Sequence, residues 1–272
     1  MPVRQLSETV SQTRTGTDLT KHITVSDTDP MIVNLADNFN AMFERLRLSF
    51  EAERQFTSDV SHELRTPIAV IVAECDYQLS RDDLSEEDRE GIETVRKQAL
   101  SMKQIVSQLL YFSRMEQGVE KPDFEREDLG ELVSAVCDDM SLVADKGITI
   151  IKEIDEKVEM NLDLAMMTRL VSNLVSNAVY YGKEKGQVTV SVRKNGNMAV
   201  LSVADDGIGI AKEHLDRIWQ RFYRVDKARS REDGCSGLGL PMVKQIAALH
   251  NGTVKVESEE GKGSVFTVEF LL

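Results

Sequence analysis

His62 stands in the stretch "SDVSHELRTP", with Glu63 directly after it and Pro67 closing the stretch. A neutral imidazole attacks phosphorus through one ring nitrogen, while a carboxylate near the other nitrogen takes its proton and fixes the tautomer. Glu63 is the carboxylate in place for that role. A solvated surface histidine would explain this stretch alone equally well. Further along, "NLVSN" sets Asn173 and Asn177 four residues apart, so on a helix they share a face. Amide oxygens are hard ligands suited to Mg²⁺, which keeps waters and substrate phosphates as its other partners. Two solvent-facing asparagines are the plainer explanation, but asparagine is a poor interior helix former and the pair lacks a folding reason. "DDGIGI" follows an apolar strand: Asp205 could accept a hydrogen bond from an exocyclic amine, and Gly207 and Gly209 would let a ring approach the backbone. A turn would account for either glycine alone. Lastly, "GCSGLGLPMVKQIAALH" runs glycines, Gly237 and Gly239 among them, into an apolar helix whose first N–H groups could cradle phosphates. A flexible loop explains that pattern as well.

These residues need elements to hold them. Residues 1–120 carry almost no strand signal. "PVRQLSETVSQTRTG" reads as a short polar helix stopped by Gly16, followed by a polar connector. Helix resumes at Pro30 behind Asp29 as N-cap, and Leu35, Phe39, Met42, Phe43, Leu46, Phe50 and Phe56 recur at helical spacing into the His62 stretch. On a wheel of 100° per residue, Val60, Leu64, Pro67 and Ile71 fall within about 80° of one another, with His62 roughly opposite Val60. A core histidine is thereby excluded if the helix is real. A break at "SRDDLSEED" and a start at Ser85 lead to a second helix, with Ile92, Val95, Ala99, Met102, Ile105 and Leu109 on its stripe. Two helices cannot enclose two such stripes, whereas two hairpins form a four-helix bundle, so homodimerisation through the hairpin is expected.

After "GVEKPDFERED" the pattern changes to a helix ended by Gly147, strands "ITIIKEI" and "VEMNL", a helix over 163–181, and a strand pair turning at Asn195–Gly196. A further helix, the glycine-rich segment, the last helix and two closing strands complete the chain. Helices alternating with mostly antiparallel strands predict an α+β layer of helices on one mixed sheet.

The chain has 272 residues and a formal net charge of -13, which disfavours nucleic acid as a partner because phosphate backbones need Lys and Arg. Cys75, Cys137 and Cys235 are odd in number and lack CxxC spacing, arguing against a disulfide framework or a zinc site and fitting a reducing compartment. No run approaches the roughly 18 apolar residues of a membrane span, and no apolar signal core opens the chain. A soluble piece is expected, joined to a membrane only through a transmembrane region preceding it.

Taken together and in this order, the motifs resemble those of the sensor histidine kinases over essentially the whole chain. "FTSDVSHELRTPI" resembles the family's H-box, "NLVSNAVYY" its N-box, "DDGIGI" its G1 box, "RIWQRFYRVD" its F-box and "GLGL" its G2 box, and "GKGSVFTVEF" is similar to its closing strand. "PVRQL" through "LADNFNAMFERL" resembles a HAMP signal-relay module. The resemblance implies a multidomain protein: a HAMP-like relay at 1–53, a dimerisation and phospho-acceptor hairpin at 54–120, and an α+β sandwich ATPase domain of the Hsp90, topoisomerase II and histidine kinase type at 124–272. It implies Mg²⁺ and ATP as cofactors, His62 as phospho-acceptor, Glu63 as its base, and Thr66 as the residue orienting water for dephosphorylation of the partner. Asn177 would be the principal metal ligand with Asn173 assisting. Asp205 would bind adenine, with Gly207, Gly209 and Tyr181 in the same pocket. Gly237 and Gly239 would cover the phosphates, and Arg224 would reach them. The implied partner is the receiver domain of a response regulator. The implied location is the cytoplasmic side of a bacterial inner or plasma membrane. The chain departs from the family pattern at Tyr180, where lysine is usual, at Cys235 and Ser236, where glycine is commoner, and at Asp29-Pro30.

Two other functions compete. A hydrolase of the Hsp90 type would place a carboxylate where Asn173 stands. A dimeric scaffold that binds nucleotide without turnover has only Tyr180 and Cys235 in its favour.

Overall fold

The structure is a computed structural model that describes residues 30–143, 147–155, 157–225 and 236–272. The expected helix before Gly16, its connector, Asp29 and Cys235 lie outside the described residues. The chain divides into two units, residues 1–121 and 122–272.

The first unit is built on α1 (Pro30–Leu79) and α2 (Glu86–Glu116), which pack on each other along the hairpin. α1 continues through Pro67. At the start of α2 the Ser85 hydroxyl accepts the Asp88 N–H at 3.1 Å, and Glu86, Glu87 and Asp88 place negative charge at the positive end of the helix. Arg96 holds Asp76 across the hairpin at 2.5 Å, and Arg89 donates to the Leu79 carbonyl at 3.3 Å.

Position by position, α1 carries two lines rather than the single stripe that its sequence pattern suggests. Ser61, Ile68 and Cys75, seven apart, are buried within the chain. Val60, Leu64 and Ile71, on the adjoining line, stay 37%, 44% and 39% exposed. On α2, Ala99 is buried while Val95 and Met102 are open. A seven-residue period keeps a seam in register along a helix pair, so the covered line is the intrachain seam. Among the described residues, nothing covers the second line, which stays apolar surface.

The second unit is a two-layer α+β sandwich. A five-stranded sheet runs in the order β2 (Thr149–Ile154), β4 (Gln187–Asn195), β5 (Met198–Asp205), β7 (Gly263–Leu271), β6 (Thr253–Glu259). Only the β2–β4 pair is parallel, so the sheet is mixed as expected. β1 (Glu125–Asp128) and β3 (Glu159–Leu162) form a separate antiparallel pair. Alternation puts Val188, Val190 and Val192 of β4 and Ala199, Leu201 and Val203 of β5 on one face, all fully buried. Three helices cover that face: α3 (Leu129–Val143), α4 (Leu164–Tyr181) and α5 (Gly239–Leu249). α4 buries Met166, Met167, Leu170, Val171, Leu174, Val175 and Ala178, a continuous apolar stripe.

His250, buried at the end of α5, ties two helices together. Its Nε2 accepts the Asp163 N–H at 3.0 Å, and its Nδ1 bonds the Ile246 carbonyl at 2.9 Å, so Nδ1 carries the proton and the ring is neutral. Asp163 caps α4 through the Met166 N–H at 2.9 Å and also accepts the Asp123 N–H at 2.8 Å. Burial pushes the His250 pKa below its ordinary value, against a smaller opposite pull from the Ile246 carbonyl and Asp163.

The segment after "DDGIGI" differs from expectation. Instead of a helix it forms one 3₁₀ turn, Lys212–His214, followed by irregular turns. Ile218 is buried and Trp219 meets Phe266 edge-on at 6.2 Å.

Candidate functional site: a polar-ended cleft in the sheet domain

β5 delivers Asp205 to the sheet edge of a cleft, and the last turn of α4 brings Asn177, Tyr180 and Tyr181 to it. The cleft measures about 870 Å³ including its mouth. Ile208, Ile210, Ile218, Leu240 and Phe266 make its walls apolar, and few polar groups interrupt them. That is the composition of a site for a flat organic ring with a polar tail.

At the ring end, Asp205 Oδ1 accepts the Gly207 N–H at 2.9 Å. Burial raises the Asp205 pKa above its ordinary value, and the Gly207 and Ser264 amides pull the other way. Gly207 and Gly209 are required by close approach: a Cβ on Gly207 would overlap the Tyr181 carbonyl, and one on Gly209, at φ +68°, the Glu259 carbonyl. The turn is fastened by Ile208 N–H to the Tyr181 carbonyl at 3.2 Å and Gly261 N–H to the Ile208 carbonyl at 2.7 Å.

At the other end the side chains point to an anion. Arg224 lines the cleft, and its Nε and Nη2 are buried with no hydrogen-bond acceptor among the described residues. An unpartnered buried guanidinium is costly unless an anion completes it. Asn177 also lines the cleft, and no side-chain hydrogen bond engages it among the described residues, so its amide oxygen is available as a ligand. A single neutral oxygen beside phosphate-seeking groups fits Mg²⁺, which takes few protein ligands and completes its shell with phosphates and water.

Other sequence-derived candidates fall differently. Asn173 does not line the cleft: its Nδ2 donates to the Arg169 carbonyl at 2.8 Å, and its Oδ1 faces Gly239, where an added Cβ would lie 3.1 Å away. Gly237, at φ +69°, accepts the Phe222 N–H at 3.0 Å on its carbonyl. His62, Glu63 and Thr66 lie in α1, in the other unit; Glu63 and Thr66 are exposed, and the side chain of His62 is outside what the structure describes.

Several cleft residues carry no sequence signal of their own. Tyr223 bonds His214 Nδ1 through its hydroxyl at 2.7 Å, beneath Arg217, whose guanidinium sits 4.5 Å from the ring centroid. Ser264 and Phe266 enter from β7, opposite Asp205 and Val203 in register. The alternation of β7 was the available signal, since it turns residues 264 and 266 to the same face.

The helical hairpin and the sheet domain that holds this cleft are separate units of the chain. Residues 52–118 match the His Kinase A (phospho-acceptor) domain, and residues 162–272 match the Histidine kinase-, DNA gyrase B-, and HSP90-like ATPase. "Sensor-like histidine kinase SenX3" of Mycolicibacterium smegmatis is 35% identical over 216 residues, covering 79% of this chain and 56% of that protein. "Sensor histidine kinase RppB" of Synechocystis is 35% identical over 233 residues, covering 81% and 49% respectively. The crystal structure of full-length ShkA in complex with AMPPNP aligns with a TM-score of 0.69 at 26% identity, over 79% of this chain and 45% of that one. The chain belongs to the sensor histidine kinases of two-component systems. It spans about half the length of the curated relatives it matches.

Proposed function

We propose that the chain is an ATP-dependent protein histidine kinase that phosphorylates His62 and passes the phosphoryl group to an aspartate on a response-regulator receiver domain. The observation that carries this reading is the cleft's polarity. A carboxylate and paired glycines stand at one end; at the other, among the described residues, are a guanidinium without an acceptor and an unengaged asparagine.

Asp205 accepts the exocyclic amine of adenine, while Ile208, Ile210 and Tyr181 exclude water from the ring. Arg224 neutralises phosphate oxygens, and Asn177 would hold the metal, with Asn173 assisting from one turn earlier on the same helix. Mg²⁺, when bound, offsets charge on the phosphates and orients them. An imidazole nitrogen of His62 attacks the γ-phosphorus, the bond from phosphorus to the bridging oxygen breaks, and ADP leaves; Glu63 takes the proton from the other ring nitrogen. In the reverse sense of signalling, Thr66 orients water against the phosphorylated regulator. Gly237 and Gly239 flank the phosphate end.

In the same reading, residues 1–53 relay the signal, 54–120 dimerise and accept phosphate, and 124–272 bind ATP. Among the described residues no helix is long and apolar enough to cross a membrane. This reading puts the chain on the cytoplasmic side of a bacterial membrane. The open Val60, Leu64 and Ile71 line supports a homodimer.

Incubation with γ-labelled ATP and Mg²⁺ tests this: label should enter the chain, and Asn177→Ala or a chelator should remove it. Nucleotide bound but never consumed would instead leave a signalling scaffold.

A further inference from the structure

Across the end of the sheet, Asp205 of β5 is paired with Ser264 of β7, and Ser264 with Ser258 of β6. Directly paired residues project to the same face, so the three side chains form one polar row. Asp205 and Ser264 line the cleft; Ser258 stands behind them, half-buried.

The hydrogen bonds around Ser258 allow only one arrangement of protons. The Ser258 hydroxyl accepts the Ile210 N–H at 2.8 Å and lies 2.8 Å from the Gly263 carbonyl. A carbonyl can only accept, so the single Ser258 proton goes to Gly263. Ser264 Oγ lies 2.9 Å from Ser258 Oγ. With the Ser258 proton committed, the Ser264 hydroxyl must donate to Ser258. Ser258 then has one donor and two acceptor sites, all used. Ser264 has given away its only proton and meets the cleft with lone pairs alone. Asp205, a carboxylate, is likewise an acceptor.

We propose that Ser258 is a specificity-determining residue: by consuming the Ser264 proton it makes this end of the cleft all-acceptor, selecting a purine with a 6-amino group over one with a 6-carbonyl. This rests on the nucleotide-binding reading above. A 6-amino group can give both its protons to such a row, whereas a 6-oxo purine sets its carbonyl against lone pairs and has only its N1–H to donate there. Without the Ser258 hydroxyl, the Ser264 proton is free to rotate into the cleft and meet a carbonyl. Ser258 itself touches no ligand and acts through Ser264.

The test compares ATP with ITP, which carries a 6-carbonyl and an N1 proton in place of the 6-amino group and bare N1, by direct binding to the 272-residue chain and to Ser258→Ala, Ser258→Thr and Ser264→Ala. The wild type should prefer ATP by about tenfold or more, the usual consequence of unmet buried polar groups. Ser258→Ala should shrink that ratio severalfold, mainly because ITP binds better. Ser264→Ala should shrink it as well, and Ser258→Thr, which keeps the hydroxyl, should restore it. Thermal melts of each variant report folding separately. An unchanged ratio in both alanine variants, or equal weakening of both nucleotides, would overturn the specificity role while leaving nucleotide binding intact. A wild-type chain that binds neither nucleotide would overturn the functional reading and this inference with it.

Discussion

Arg224 has two buried nitrogens without acceptors among the described residues, and it is the one cationic residue of those that line the cleft there. Its charge has a single sensible use, so Arg224→Ala should weaken Mg-ATP binding by about tenfold or more, the range for a lost charge-assisted hydrogen bond. Equilibrium titration with a fluorescent nucleotide measures this, and Arg224→Lys should recover only part of it because the fork geometry is lost. Asp205→Asn should cost adenine affinity in the same assay, since an amide offers a donor where the amine needs an acceptor. At this scale much of the site was legible. Asn177 stands out because asparagine is a poor interior helix former, and Asp205 because a carboxylate closes an apolar strand ahead of two glycines. Ser258, Ser264 and His250 do not, because their roles depend on partners chosen by strand register and helix docking: Ser258 meets Ser264 only through the β6–β7 pairing, and His250 meets Asp163 from 87 positions away. Asn173 illustrates the converse. Its i, i+4 spacing with Asn177 suggested a shared ligand role, yet its amide is engaged with Arg169 and the start of α5.

Among the elements, the joint between α4 and α5 carries a pH dependence. The His250 pKa is lowered in the folded protein by burial, from an ordinary value of 6.5. Between those two values the unfolded chain binds more protons than the folded one, so stability rises with pH through that window and is lost as pH falls below about 6.5. Thermal unfolding measured from pH 7.5 down to pH 5.5 should show a falling midpoint. In His250→Gln the midpoint should start lower, for want of the buried acceptor, and that part of the slope should disappear. Hydrophobic periodicity made α1, α2, α4 and the sheet readable in sequence. It failed for the stretch after Asp205, where only the Lys212–His214 turn forms. Turns carry no repeating buried face for a period-based reading to find.

For the whole molecule, the open line of Val60, Leu64 and Ile71 on α1, with Val95 and Met102 on α2, is the surface on which a second hairpin would pack. Leu64→Glu together with Ile71→Glu should shift sedimentation from dimer toward monomer while leaving nucleotide affinity of the sheet domain unchanged, because that cleft lies wholly in the second unit. Periodicity in the sequence marked this line as a stripe for a four-helix bundle but did not separate it from the intrachain seam, which is the neighbouring Ser61, Ile68 and Cys75 line. A chain read in isolation cannot assign two adjacent stripes to two partners, and here the heptad spacing of the second stripe is the distinguishing mark. Thr66→Ala belongs to this scale too, since it acts on another protein: it should slow loss of phosphate from the regulator and spare self-labelling. The central claim, that His62 receives phosphate from ATP, is tested most directly by labelling from γ-labelled ATP in the wild type and in His62→Gln. Acid-labile, base-stable label on the wild type that vanishes in the variant, with ATP affinity unchanged, is the predicted result; label that persists in His62→Gln would contradict it.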